Sequence, residues 1–341
     1  MVNQIQNMPK LATLPAILFA ASHLSGCQFV EDKQPNQPLW QNQKSASSLF
    51  QNKTEALAKQ VEDFCRAPEQ AGVDALRTGW QQSMSAWMPL QGIDMGSEQL
   101  LSLSWQIQFY PDKKNTTGRK LRQLLKEEKI LTQGQMASQS VAVQGLGALE
   151  WLLFDKASNI TDSKNCALAS QISTYLSSTA KQYHGAWAVN PFSGANDKAQ
   201  VKNSLSALSH QLDRVMKKLS MPLGKPGLSK PFQAEAWRSA QSLNFLRDSV
   251  SSMKVLYDAD LRELLVQRGA DDLANRIDEH WDTALESIPQ QPGMKSLLSS
   301  VDGYRSLLTV FNNLEYIQLA LSDEAAPLLG VVVGFNSTDG D

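Results

Sequence analysis

Histidine and cysteine are scarce in this chain of 341 residues, at four and three respectively. That shortage excludes the ligand-rich zinc frameworks, and no His-Glu-x-x-His run occurs anywhere. A Gly-x-Ser-x-Gly elbow and a Gly-x-x-x-x-Gly-Lys phosphate loop are missing too, which removes the common routes to acyl and phosphoryl transfer. No basic stripe with interleaved aromatics is present. The formal net charge is −2 and the Lys and Arg residues are scattered among Asp and Glu, so no nucleic-acid partner is expected. Long alternating apolar–polar runs are absent, which argues against a sheet.

What is present starts with an export pattern. Lys10 precedes an apolar run, Leu11 to Ala21, too short to span a bilayer, and Leu24-Ser25-Gly26-Cys27 resembles a bacterial lipobox. Residues 1–26 are therefore expected to be a signal peptide, cleaved so that Cys27 becomes a lipidated N-terminus. Several acyl chains on one Cys anchor stably, which makes a membrane one partner of the chain. Gln28, where Asp is absent, favours the outer membrane of a Gram-negative host and a periplasm-facing domain. Residues 27–47 are rich in Gln, Asn, Ser, Lys and Pro, with Leu39-Trp40 as an apolar spot, and read as a tether. With Cys27 acylated, Cys65 and Cys166 remain as a pair in an oxidising compartment and are expected to be bridged. The closed loop of about 100 residues is worth roughly 4–5 kcal/mol on the chain-entropy view.

Helical periodicity dominates the rest, and a hydrophobic content of 42% supports real cores. Phe50, Leu57, Val61 and Phe64 share a face that Pro68 closes. Leu76, Trp80, Met84 and Trp87 form a second stripe, ended by Pro89. Val201, Leu205, Leu208, Leu212, Val215 and Leu219 give the cleanest one. Three Pro and two Gly within residues 221–232 mark a linker. Beyond it run Ala236-Ala240-Leu243-Leu246-Val250, then Leu273-Ile277-Trp281-Leu285-Ile288, then Leu297-Val301-Tyr304-Leu308-Phe311-Ile317. The expected fold is all-α, two helical bundles packed against each other, with an N-terminal bundle over 48–220 and a C-terminal one over 233–341.

The stretch 141–154, VAVQGLGALEWLLF, is the most unusual. Its spacing is helical although Gly145 and Gly147 lie inside it, each costing about 1 kcal/mol relative to Ala. Val143, Gly147, Glu150 and Phe154 share one face, so Glu150 is an acid among apolar neighbours. Such an acid needs a proton, a metal or a partner such as Arg77 or Arg119. Trp151, Trp80 and Trp87 are expected to line or support a pocket there. Asp112 sits at a corner in Tyr110-Pro111-Asp112, either capping a helix near Thr117 or facing a cleft between bundles. The apolar run 328–335 should dock on the body. Asp339 beyond it is either part of a solvated tail or a ligand in an oxygen-rich cation site.

The 141–154 stretch resembles the motif region of the imelysin-like family, a Gly-x-His-x-x-Glu signature, with Gly145 and Glu150 in place and Gly147 where the His belongs. Residues 80–91, WQQSMSAWMPLQ, resemble the family's early helix with paired tryptophans. Residues 108–114, QFYPDKK, and 334–341, GFNSTDGD, look like motifs of its lipoprotein branch. The resemblance implies an imelysin-like fold of two helical bundles and an association with bacterial iron uptake. It brings iron or another divalent metal into consideration, although the residues fix no cofactor. Founding members were described as metallopeptidases; a catalytic zinc wants three protein ligands, and replacing the His by Gly147 argues against catalysis here. His184, His210 and His280 are expected to be structural or surface residues. The expected role is binding of a ligand, metal or partner protein at the cleft near Glu150. The alternatives are an imelysin-type metallopeptidase, favoured if His184 or His280 clusters beside Glu150, and a scaffold for envelope partner proteins.

Overall fold

Each amphipathic segment buries its apolar stripe against another helix. The computed structural model describes residues 36–94, 97–127, 131–290 and 293–332, and the export segment with Cys27, as well as Asp339, lies outside them. Fourteen α-helical segments are found among these residues: α1 Gln37–Arg66, α2 Val73–Trp87, α3 Glu98–Ile107, α4 Thr116–Lys126, α5 Gln133–Ala137, α6 Gly145–Phe154, α7 Ser163–Ala186, α8 Asp197–Leu223, α9 Ser242–Tyr257, α10 Glu263–Gln267, α11 Asp271–Ser287, α12 Met294–Leu297, α13 Val301–Leu319 and α14 Ala326–Leu328. No strand occurs among the described residues; Lys225 and Leu228 form an isolated bridge.

In the first bundle α1 packs on α2 and α7, and α6 packs on α2, α4 and α7. In the second, α13 packs on α8 and α11, and α9 on α8 and α11. The helix α8 thus belongs with the C-terminal helices, so the change of bundle falls between α7 and α8 and not at residues 221–232. One continuous apolar core, from Leu39 to Val331, runs through both bundles. Five tryptophans, Trp80, Trp87, Trp151, Trp187 and Trp281, are fully buried in it. A large apolar side chain so placed contributes about 1.5–3 kcal/mol. The Cys65–Cys166 disulfide joins the end of α1 to the start of α7, with Cα atoms 5.6 Å apart.

Three expectations are corrected. The tether does not reach residue 47, because α1 begins at Gln37. Leu39 is buried, Trp40 Nε1 donates to the carbonyl of Trp187 at 2.9 Å, and Asn36 Nδ2 donates to the carbonyl of Gln200 at 2.7 Å. Those tertiary partners give a polar segment a place to bury its two apolar residues. The stripe starting at Ala236 and Ala240 is not helical there, since both residues have positive φ (52° and 56°) and α9 starts only at Ser242. The face expected for α13 is turned by one position: Val301 is exposed and Leu308 partly so, while Leu307, Val310, Leu314 and Ile317 are buried.

Candidate functional site

The site lies where the corner after α8 meets the first bundle. Gly145 opens α6 with φ +67°, and a Cβ there would run into the carbonyls of Gln106 and Ile107. It therefore belongs to the helix start, not its interior, and lets α6 lie against the end of α3. Gly147, one turn below Trp151, faces open space, with only the Phe109 carbonyl 3.9 Å from a Cβ placed there. Glu150 follows on the same face and is buried.

Glu150 is held by the corner. Its Oε1 accepts from the backbone N–H of Arg238 at 3.0 Å and of Ser239 at 2.9 Å, and from the Ser239 hydroxyl at 3.1 Å. The positive φ of Ala236 and Ala240 belongs to the tight turn that carries these two amides. Neither Arg77 nor Arg119 is the partner: Arg77 Nε donates to the carbonyl of Leu153, and Arg119 reaches Thr116. The Arg238 guanidinium goes to Asp155 Oδ2 at 2.8 Å and to Asn115 Oδ1 at 2.7 Å. Burial raises the Glu150 carboxyl above the usual carboxylate range, opposed by the Ser239 amide, the Arg238 charge and the other hydrogen bonds.

A second buried acid, Glu235, sits in the same corner. Its Oε2 pairs with Lys218 Nζ of α8 at 2.9 Å, and its Oε1 accepts from Gln108 Nε2 at 2.9 Å and Gln91 Nε2 at 3.1 Å. Trp87 Nε1 donates to Gln108 Oε1 at 3.0 Å, which fixes that amide. Burial pushes the Glu235 carboxyl upward, but the Lys218 ammonium and the two amides outweigh it and hold the group below its ordinary value. This network ties the first bundle, through Gln91 and Gln108, to the second, through Lys218.

Between the two acids lies a cavity of about 40 Å³, lined among others by Trp80, Tyr110, Asp112, Gly147, Glu150 and Glu235. That volume has room for a few waters. Tyr110 is buried, donates to the carbonyl of Gln233 at 3.1 Å, and is raised well above its ordinary value by burial and then by Glu235. Asp112 caps α4 and also faces the cavity; its two oxygens accept from Thr116 N at 2.6 Å and Thr117 N at 2.9 Å. Trp80 lines the cavity and Trp87 supports it, but Trp151 packs beside Gly118 and does not reach the lining. The sequence reading missed Lys218, Glu235, Arg238 and Ser239. One signal was available: Lys218 falls three residues after Val215, inside the apolar stripe of α8.

The donor set does not fit the metal that the family resemblance implies. Of the six carboxylate oxygens of Asp112, Glu150 and Glu235, five are engaged by protein hydrogen-bond donors or by Lys218, leaving Glu150 Oε2. A zinc site needs three protein ligands and a calcium site six or more oxygens. No group of three His, Cys, Asp or Glu able to hold a metal occurs among the described residues. His184 meets Ser47 at 3.0 Å and His280 meets Asn313 at 2.7 Å while stacking on Tyr316, so neither joins Glu150.

Fold and site together define an all-helical protein of two bundles with a donor-held acid at their junction. The imelysin family model, Peptidase_M75, matches residues 44–319, and the chain belongs to the imelysin family. No curated protein matches it. Among solved structures it is similar to an imelysin-like protein from Psychrobacter arcticum 273-4, 21% identical, with a TM-score of 0.75 over 86% of this chain and 93% of that one. It is also similar to a protein from Parabacteroides distasonis ATCC 8503 described as an iron-regulated protein A precursor, 12% identical, with a TM-score of 0.61 over 86% and 97%. At these identities the likeness is one of fold. No helix among the described residues is long and apolar enough to cross a membrane.

Proposed function

We propose that this chain is a non-catalytic binding protein of the bacterial envelope, periplasm-facing and held by a lipidated Cys27. It takes its ligand at the junction beside Glu150 and serves iron acquisition. The observation that carries the binding role is the state of the three carboxylates. Each oxygen of Asp112 and Glu235 already meets a hydrogen-bond donor or the Lys218 ammonium, whereas Glu150, which lines a small cavity, has donors on Oε1 alone. A catalytic metal must find ligands, and this set, with no group of three His, Cys, Asp or Glu among the described residues, supplies too few. The link to iron is supported by the family and by the iron-regulated fold neighbour. The lipobox-like Leu24-Ser25-Gly26-Cys27 supports the anchor.

The test is metal analysis and calorimetric titration with iron, zinc and calcium, run on the wild type beside Glu150→Gln, together with a casein-hydrolysis assay. No stoichiometric metal and no hydrolysis are expected. One equivalent of metal together with casein hydrolysis, both lost in Glu150→Gln, would replace this reading by the imelysin-type metallopeptidase. Labelled acyl chain should be incorporated by the wild type and not by Cys27→Ala; label retained in the variant removes the anchor.

A further inference from the structure

The corner between α8 and α9 has an outer face as well as the inner one that holds Glu150. With the approach to α4 it walls a groove of about 660 Å³, within the size range of small-molecule sites. The groove shares Asp112, Phe232, Trp237 and Arg238 with the cavity lining. Phe232 is 55% exposed and meets Trp237 edge to face, with ring centroids 5.0 Å apart and planes at 88°. The Arg238 guanidinium lies 4.3 Å over Trp237, and Lys295 Nζ lies 4.7 Å over Phe232. Lys113, Lys114 and Lys230 line the same groove, are exposed, and make no ion pair among the described residues. The groove's one lining carboxylate, Asp112, has both oxygens committed to the α4 amides. A chain of formal net charge −2 thus gathers an excess of positive charge, three lysines against one carboxylate, around an aromatic pair.

We propose that this groove binds a small organic polyanion, its carboxylates meeting Lys113, Lys114 and Lys230 and its flat body resting on Phe232 and Trp237. Solvated lysines alone would need no aromatic beside them. An exposed Phe stacked on a Trp and flanked by cations is a surface for a ligand with both characters. Concavity favours a small molecule, since a stable protein partner needs a far wider face. The inference rests on the binding role proposed above and adds the chemical class of the ligand. Arg238, which lines the groove, also donates its backbone amide to Glu150, as does its neighbour Ser239.

The experiment titrates the full chain with trimesate, a flat aromatic tricarboxylate, beside its neutral triamide, inorganic phosphate and a hexaglutamate peptide. Trimesate should bind with an affinity that falls as salt rises, and the triamide at least about tenfold more weakly, the loss expected for one charge-assisted contact. Lys113→Glu with Lys114→Glu, or Lys230→Glu, should each weaken trimesate by about tenfold. Circular dichroism should be unchanged in these variants, since the three side chains are exposed. Equal binding of trimesate and triamide, or indifference to charge reversal, overturns the proposal. Binding of phosphate as tight as trimesate overturns the organic body, and binding of hexaglutamate without trimesate gives the surface to an acidic protein partner and overturns it as well. Metal-dependent casein hydrolysis sinks the non-catalytic binding role itself, whereas a groove silent to all four probes in a protein that hydrolyses nothing sinks this inference alone.

Discussion

Glu235 and Glu150 are buried at the same corner of the chain and meet the cost of burial in opposite ways. Glu235 has a cation, Lys218, and two amides, and it stays ionised. Glu150 has two backbone amides and a hydroxyl but no guanidinium or ammonium in contact, and burial raises its carboxyl. A buried acid with a matched cation is a structural pin, because breaking the pair strands a charge. A buried acid held by neutral donors keeps a choice of proton, and this one lines the cavity with donors on Oε1 alone. The comparison separates what fastens the two bundles from what is offered to a ligand.

The largest effect expected from breaking that contrast is at the pin. Lys218→Met should cost about 3–5 kcal/mol in chemical denaturation by leaving Glu235 charged and alone. Lys218→Met with Glu235→Gln should recover most of it. A loss below about 1 kcal/mol in the single variant would mean that Glu235 is no pin.

Gly145 and Gly147 give a second contrast on α6. Gly145→Ala must adopt positive φ and displace the carbonyls of Gln106 and Ile107, so a loss of at least about 2 kcal/mol is expected. Gly147→Ala meets open space and a helical backbone, and thermal unfolding should show a gain of up to about 1 kcal/mol. Equal effects at the two positions would contradict the placement of α6. Intermediate in size, Glu150→Ala leaves the Arg238 and Ser239 amides without their acceptor and should cost about 1–3 kcal/mol.

The smallest and sharpest test is in pH. Glu150 is raised in the folded state, so what it adds to stability is complete below its unfolded value of 4.5 and is lost as pH rises through the folded value. Glu235 is depressed, so its contribution is present above 4.5 and is lost as pH falls through its folded value. Glu150→Gln keeps an acceptor for the amides and should flatten the decline in melting temperature above pH 4.5 while leaving the acid limb intact. An unchanged profile would show that Glu150 is ionised in the fold after all.

The helices were legible because their apolar spacing is local: the stripes on α1, α2 and α8 lie where the residues put them. Legibility failed where partners are distant. Leu39 and Trp40 look like accidents in a polar tether until Trp187, just past α7, accepts from Trp40, and Gln200 of α8 accepts from Asn36 ahead of them. Ala236 and Ala240 fit a helical stripe by spacing, yet their segment is a turn that aims two amides at an acid far back in the sequence. Glu150 could be marked as an acid in need of a partner, because its neighbours on α6 are apolar. That its partner is backbone, with the Arg238 side chain turned away to Asp155, is nowhere written in spacing.

By itself, then, the sequence determined the all-helical class and the helix that carries Glu150, since these follow from local periodicity; it offered Cys65 with Cys166 as the pair left if Cys27 is acylated, and the fold joins those two. Only the tertiary structure decided that α8 joins the C-terminal helices, that Lys218 neutralises Glu235, and that partners engage every carboxylate oxygen of Asp112, Glu150 and Glu235 except Glu150 Oε2. Those outcomes depend on which groups meet after packing, where burial makes every unpaired charge and donor costly enough to select a partner.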